Sequence, residues 1–325
     1  MISVVLTVYN CERYIQQSVR SILSQTHTDF EIIIVNDGST DQTMAKVQEI
    51  NDQRIRIIDS QHIGRGPALN LAVKNSHGEI IAIQDADDIS FPERLQVEYQ
   101  YIKTQPMNTL VSCWYAVFSE RKLLYIVRSP KEGGVIKKKL ALTCHFPNAG
   151  MMFYKDFLVR HGMYRDVQYG LEDYDLFLRT KDEADFYVIP RVMLFYRSHP
   201  ISLSNNNLSA RNRLQYALQE QYYRNASKEF GFTDTAEETE YRGWREYFYG
   251  NKFVARKYWA KIGLSILKHP RIMIAWCVTF MPEYLFISFK ESRVKFRLLY
   301  LATYFSSSAR HLRSMLQSMM NDETA

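Results

Sequence analysis

The sequence predicts an α/β chain built on a mostly parallel sheet. Two segments carry that expectation. Residues 32–41, IIIVNDGSTD, and residues 81–90, IAIQDADDIS, are apolar runs that break into acidic residues. An uninterrupted apolar run reads as a strand covered on both faces, which is the habit of parallel sheets. The third observation is order: strand-like and helix-like segments alternate through the first 85 or so residues, as βαβ units require.

Residues 3–8 read as the first strand. Residues 12–25 place Tyr14, Ile15, Val19, Ile22 and Leu23 on one helical stripe. Residues 30–35 form the next strand. Ser39, Thr40 and Asp41 can cap a helix running to about Ile50. Residues 54–58 are a short strand, and 64–66 a loop entering a helix over 67–75. Gly78 ends that helix, and 79–84 is a strand. This β-α-β-α-β-α-β order is a Rossmann-like half. Pro92 then opens a helix over 93–103.

The middle is mixed. Residues 109–118 and 123–128 read as paired strands, 129–134 as a loop and 147–154 as a strand. Residues 171–184 read as a helix that begins with Glu172-Asp173. Short strands are expected at 186–189 and 194–197. The run Asn205-Asn206-Asn207 marks the end of a catalytic domain at residues 1–207. Residues 208–325 read as a helical extension.

With 325 residues, 46% of them apolar, the chain can bury a large core and carry one α/β domain plus an appendage. Cys11, Cys113, Cys144 and Cys277 are scattered and show no metal-ligand spacing. A reducing compartment is the simpler expectation. The start, MISVVLTVYN, is expected to be a strand rather than a signal peptide. The net charge of +6 is uneven: residues 251–325 hold 12 Lys/Arg against 4 Asp/Glu, and the rest 29 against 31. The basic charge thus belongs to the tail. With no nucleic-acid motif beside it, no nucleic-acid partner is expected.

Ligands of open parallel sheets bind at the carboxyl ends of the strands. Asp37 and the trio Asp85, Asp87 and Asp88 fall at such ends. Asp37 has a bland reading, a turn residue capping the next helix. Its functional reading is a carboxylate that accepts a hydrogen bond from a nucleotide base, and the N3–H of uracil suits it. Asp85-Ala86-Asp87-Asp88 has a bland reading too, an acidic loop before the helix at Pro92. Three carboxylates within four residues repel one another, however, and a cation relieves that. Alternation in an extended segment puts Asp85 and Asp87 on one side. One can meet ribose hydroxyls while the other holds Mn²⁺ or Mg²⁺ beside a diphosphate.

The pieces SVVLTVYN, IIIVNDGSTD, GRGPALN, GEIIAIQDADDISFPERL, NAGMMFY, GLEDYDLFLR and FYRSHPISLS occur in this order over residues 3 to about 204. Together the set resembles the inverting, GT-A-fold glycosyltransferases of family 2, of the bacterial surface-polysaccharide type. The resemblance implies a role for each matching residue. Thr7, Tyr9 and Asp37 match positions that hold the nucleotide base. Asp85 matches the ribose contact and Asp87 the metal ligand. Asp173, in Glu172-Asp173, matches the catalytic base. Arg197 and His199 match the stretch that closes the phosphate side, with His199 a metal or phosphate contact. The partners implied are a UDP-sugar donor and a saccharide or lipid-linked saccharide acceptor.

Two positions depart from the family's pattern. Leu69 stands where many members carry Arg or Lys, which leaves the phosphate charge to Arg65 or Arg197. Asn148 stands where a His is frequent. Two rival functions remain in view. A nucleotidyltransferase would want a Gly- and Lys-rich loop near the N-terminus, and LTVYNCERY offers none. An inactive membrane-bound scaffold is disfavoured by the intact Asp37, Asp85, Asp87 and Asp173.

In the tail, residues 272–289 contain 14 apolar residues of 18, interrupted at Pro282-Glu283. Neither piece approaches the ~20 residues needed to span a bilayer. Flanking Lys and Arg with interleaved aromatics suit helices lying in an anionic membrane interface. With the resemblance, this tail implies a cytoplasmic location, peripheral on the inner face of the cell membrane. The bland alternative is a packed helical subdomain with a solvated basic face.

Overall fold

The computed structural model describes residues 1–120, 122–142, 144, 147–199, 208–222, 235–248, 251–263, 270–280, 312 and 314–317. The first half has the expected alternation. It runs β1 (Ile2–Val8), α1 (Ile15–Leu23), β2 (Phe30–Asp37), α2 (Thr43–Gln48), β3 (Ile55–Ser60), α3 (Arg65–Lys74) and β4 (Ile80–Asp85). The four strands lie parallel in the order β3-β2-β1-β4. Thr7 pairs with both Val35 and Asp85, so the carboxyl ends of three strands finish level.

Both faces of this sheet are covered, which is why its strands read as unbroken apolar runs. Val4, Leu6, Ile32 and Ile34 pack with Ile15, Val19 and Ile22 of α1. The alternate residues Val5, Ile33, Val35, Ile81 and Ile83 pack with Ala68, Leu69, Ala72 and Val73 of α3.

Beyond β4 the chain forms β5 (Ile89–Ser90), α4 (Arg94–Ile102), β6 (Thr109–Ser119), β7 (Lys122–Val127) and α5 (Gly133–Leu140). A 3₁₀ turn at Asn148–Gly150 leads to β8 (Met152–Tyr154), α6 (Lys155–Arg160), α7 (Glu172–Thr180) and β9 (Asp185–Arg197). Among the described residues all nine strands belong to one mixed sheet: β8 is antiparallel to β4 and β6, while β9 runs parallel to β6. β5 pairs antiparallel with β9, Ile89 opposite Phe195. That pairing carries the acidic loop 85–88 to the end of β9.

Several expectations in this half are corrected. The two short strands at 186–189 and 194–197 are one strand, β9. Cys113 of β6 faces Ile189 and Trp114 faces Val192, so Pro190 and Arg191 bulge out, both exposed. Proline lacks the donor a ladder needs, and a bulge accommodates it. The strand expected over 147–154 is the 3₁₀ turn and then the three residues of β8. The helix expected to reach residue 184 stops at Thr180. The loop expected at 129–134 runs into α5, and α6 is an element that local pattern does not announce.

The first two helices after residue 207 are packed on the α/β body. α8 (Leu208–Tyr222) and the helix Thr235–Phe248 contribute Leu218 and Tyr241 to the α3-side core. Gln219 donates to the Leu142 carbonyl at 3.0 Å, and the Tyr241 hydroxyl to that of Ala141 at 3.3 Å. Leu312 and Leu316 are buried in the α1-side core. A third cluster joins Tyr247, Trp259, Ile272 and Ala275 across the helices Thr235–Phe248, Lys252–Ala260 and Pro270–Val278. Gly243 permits this crossing, since a Cβ there would overlap the indole of Trp259. Among the described residues no helix is long and apolar enough to cross a membrane. The second part of the apolar run, residues 281–289, lies outside the described residues.

Candidate active site

A cavity of about 840 Å³ opens at the carboxyl ends of β1, β2 and β4. Thr7, Tyr9, Asp37, Asp85, Asp87, Asp173 and His199 all line it, so seven of the eight residues to which the resemblance gives a role meet in one place. Its walls also include the segment 166–174 and, from α8, Arg211 and Gln215. α8 lies beyond the boundary expected at residue 207, so the cavity takes side chains from both sides of it.

One end is built around Asp37, which is 4% exposed. Its carboxylate oxygens accept the Ile63 amide at 2.7 Å and the Gly64 amide at 3.1 Å. His62 Nδ1 lies 3.1 Å from Asp37 Oδ2, and the His62 ring packs on Tyr9 with centroids 4.2 Å apart. Tyr9 is half exposed, an aromatic face open to a planar group. The β1 and β2 end loops are tied together, with the Thr40 amide donating to Asn10 Oδ1 at 2.8 Å and the Asn10 amide to Ser39 Oγ at 3.1 Å.

At the centre is the loop 85–88. Gln84, 1% exposed, holds it from beneath. Its Nε2 donates to the carbonyls of Asp85 (3.2 Å) and Asp88 (3.0 Å), and its Oε1 accepts from Ser90 Oγ at 2.7 Å. The Ser18 hydroxyl donates to the Asp85 carbonyl at 2.8 Å. The backbone is thus fixed while the carboxylates converge: Asp85, Asp87 and Asp88 offer oxygens within 4.8 Å of one another. Burial pushes Asp88 well above the carboxylate range, and the nearby Asp87 and Asp85 push it further. Asp88 Oδ1 accepts the Arg197 amide at 2.8 Å, while its buried Oδ2 has no hydrogen-bond partner. Crowded carboxylates with an orphaned buried oxygen fit a hard divalent cation.

His199 Nε2 lies 2.9 Å from Asp87 Oδ2, so the two residues share one hydrogen bond. Arg197 does not line the cavity. Successive residues of a strand face opposite ways, so Tyr196 faces the cavity and Arg197 the other side. The Arg197 guanidinium lies between the rings of Tyr14 and Phe118, 4.4 and 4.5 Å from their centroids. It donates to Gln17 and, at 2.7 Å, to the Asp87 carbonyl. In this arrangement Arg197 clamps the acidic loop from behind.

The cation beside the acidic loop is Arg65, at the first turn of α3. It donates to Asp85 Oδ1 at 2.5 Å and to Glu172 Oε1. Leu69, where a basic residue is frequent in the family, is buried in the core. Arg65 lies four residues earlier, on the same helical face. Gly66 lets this turn approach the opposite wall, since a Cβ would lie 2.6 Å from the Arg165 carbonyl. Beside Glu172 stands Asp173. Burial, then the charge of Glu172, raises its carboxyl to about 7, with Arg65 opposing.

Sequence reasoning left out His62, Arg211, Gln215 and three cavity tyrosines, Tyr115, Tyr125 and Tyr196. The strand period is the one available signal for the tyrosines. The α8 pair has none, because helix docking is not visible in local pattern.

A parallel-sheet edge bearing Asp85 and Asp87, with the partly buried Asp173 lining the same cavity, is the arrangement expected of a GT-A-fold transferase. The family model described as glycosyl transferase family 2 matches residues 3–163. The O-antigen biosynthesis glycosyltransferase WbnJ of Escherichia coli is 30% identical over 227 residues, 68% of this chain and 88% of that protein. An uncharacterized glycosyltransferase of Haemophilus influenzae is 30% identical over 217 residues, 61% of this chain and 66% of that one. The match to a Rickettsia bellii relative spans only 21% of its length. The chain belongs to glycosyl transferase family 2. Its fold is that of S. aureus TarS 1-349 solved with UDP-GlcNAc, with a TM-score of 0.57 at 15% identity over 89% of this chain and 91% of that one. The mannosyltransferase PcManGT of Pyrobaculum calidifontis, solved with GDP-Man and Mn²⁺, gives 0.52 at 17% identity over 98% and 84%.

Proposed function

We propose that the protein transfers a sugar from a UDP-sugar to a hydroxyl of a saccharide or lipid-linked saccharide, with inversion, in the assembly of a surface polysaccharide or glycolipid. One observation carries this reading: Asp85 and Asp87 of the acidic loop, the base-side residues Thr7, Tyr9 and Asp37, and the raised acid Asp173 line a single cavity. The UDP-GlcNAc held by TarS and the name of WbnJ support the donor and the setting.

Inverting transfer is one in-line displacement at the anomeric carbon. In this scheme Asp173 accepts the proton of the attacking hydroxyl. Its pKa near 7 suits that task, because a base works best close to the operating pH. Tyr9 stacks on the base and Asp37 accepts its N–H. Asp85 takes the ribose hydroxyls, releasing Arg65 towards the phosphates. Asp87 and Asp88 would hold Mn²⁺ or Mg²⁺, with His199 orienting Asp87. A bound divalent ion supplies Lewis-acid stabilisation of the leaving diphosphate. The test is a panel of UDP- and GDP-sugars, each with Mn²⁺, read by thermal unfolding. A UDP-sugar at 100 times its Kd should add about 2.7 kcal/mol of stability. Stabilisation by GDP-sugars alone would refute the uridine assignment.

The catalytic unit is assigned to residues 1–207, with Arg211 and Gln215 of α8 completing its cavity and the rest of 208–325 serving attachment to the inner face of the cell membrane. Support comes from Ile274 and Phe280, 58% and 54% exposed on an apolar stretch with basic flanks. Anionic vesicles should therefore retain the full chain better than neutral ones, and high salt should weaken that retention while leaving an apolar component. Equal binding to both vesicle types would exclude the electrostatic part.

A further inference from the structure

The far end of the cavity, away from Asp37, is a sheet face rather than a set of loops. In the β6–β7 register Val117 stands opposite Tyr125, and in the β6–β9 register it stands opposite Tyr196. Residues directly opposite on neighbouring strands share a face, and so do residues two apart on one strand. Tyr115, Val117, Tyr125 and Tyr196 therefore lie on one face, and all four line the cavity. Tyr115 and Tyr196 tilt against each other with centroids 5.7 Å apart. Asn148, 4% exposed, is also a wall of the cavity. Its Oδ1 accepts the Tyr164 hydroxyl at 3.2 Å, while its Nδ2 is buried without a hydrogen-bond partner. A buried amide N–H₂ left unpaired is costly unless a ligand completes it.

We infer that Tyr115, Tyr125 and Tyr196 form a stacking platform for the acceptor saccharide, with Asn148 donating to one of its hydroxyls. This rests on the donor reading above. A pyranose ring presents a flat face of C–H bonds and a rim of hydroxyls. Tyrosine matches both features, with a broad apolar ring and a polar tip. The platform is continuous with the cavity that holds the acidic loop and Asp173, but lies across β4 from the base-side residues. A nucleotide seated at Asp37 and Asp85 leaves this face for the sugars. A lipid chain would be better served by Leu, Ile or Phe than by three hydroxyl-bearing rings.

The test is saturation-transfer NMR on the full chain with Mg²⁺, UDP and a mixture of methyl glycosides of glucose, galactose, mannose, N-acetylglucosamine and rhamnose. At least one glycoside should receive saturation on its ring protons. Tyr125→Ala and Tyr196→Ala should each weaken that glycoside, with about 2- to 12-fold lost for the stacking contact alone, while Tyr125→Phe keeps it. UDP in the same tube is the internal control and should respond equally in every variant. Tyr125 sits on β7, which among the described residues pairs only with β6, so Tyr125→Ala is the variant that least disturbs the sheet. A UDP response with no glycoside response, or a glycoside response that survives loss of either ring, overturns the platform alone. Absence of any UDP response in the unaltered chain overturns the donor reading and this one with it.

Discussion

Asp173→Asn should lower turnover by roughly 10²–10⁴ while leaving UDP affinity nearly unchanged. That loss corresponds to about 3–5 kcal/mol of barrier. The substitution keeps the shape and removes only the proton acceptor. The pH profile gives the assignment a second handle. Burial and the Glu172 charge raise the Asp173 carboxyl to about 7. Below that pH the group is protonated and cannot act as a base, so kcat/KM should fall as pH drops through 7. Arg65 lowers the same group, so Arg65→Gln should move the acid limb to higher pH. Stability should respond in the opposite sense to activity. A carboxyl whose folded pKa exceeds its unfolded value binds protons more tightly in the folded chain. Its contribution declines as pH rises from about 3.8 to about 7. Asp173→Asn should therefore melt higher than the parent at pH 8, a common cost relation at catalytic groups. Full turnover in Asp173→Asn, with loss in Glu172→Gln, would transfer the role to Glu172.

Asp87→Ala should abolish metal-dependent UDP binding and leave the fold intact. Asp87 lines the cavity, whereas Asp88 is 1% exposed and accepts the Arg197 amide. Removing Asp87 also removes a like charge that raises Asp88, so the loop itself should not be destabilised. Thermal unfolding without nucleotide checks that point, and calorimetric titration with Mn²⁺ and UDP checks the binding. Mn²⁺-dependent affinity equal to that of the parent would remove Asp87 as the ligand.

The part of the molecule legible in the sequence is the half in which chain order and space coincide. Ile32–Val35 and Ile80–Ile83 announce central strands, and the acidic residues after them announce the working edge. At β9 the strand period of 2 carries more than the family motif does. It turns Tyr196 towards the cavity and Arg197 away, since the two are neighbours on one strand. Arg65 enters the sequence reading only as a substitute for a missing basic residue. Its bridge from Asp85 to Glu172 spans 107 residues of sequence on the longer side, a pairing local pattern cannot supply. In sequence Asp88 is one of three adjacent carboxylates, but its burial goes with β5 pairing with β9 and with the Arg197 amide it accepts, contacts between distant segments. The 1–207 boundary rests on an Asn-rich stretch. Composition marks where a loop falls and not which helices dock, so it could not show that Arg211 and Gln215 reach the cavity.

The most direct test of the acidic loop as a metal–nucleotide site is a pair of calorimetric titrations of UDP into the full chain, one with Mn²⁺ and one with excess EDTA. The assignment predicts saturable binding with Mn²⁺ and a loss of most of that affinity in EDTA. Equal UDP affinity in both titrations would contradict it.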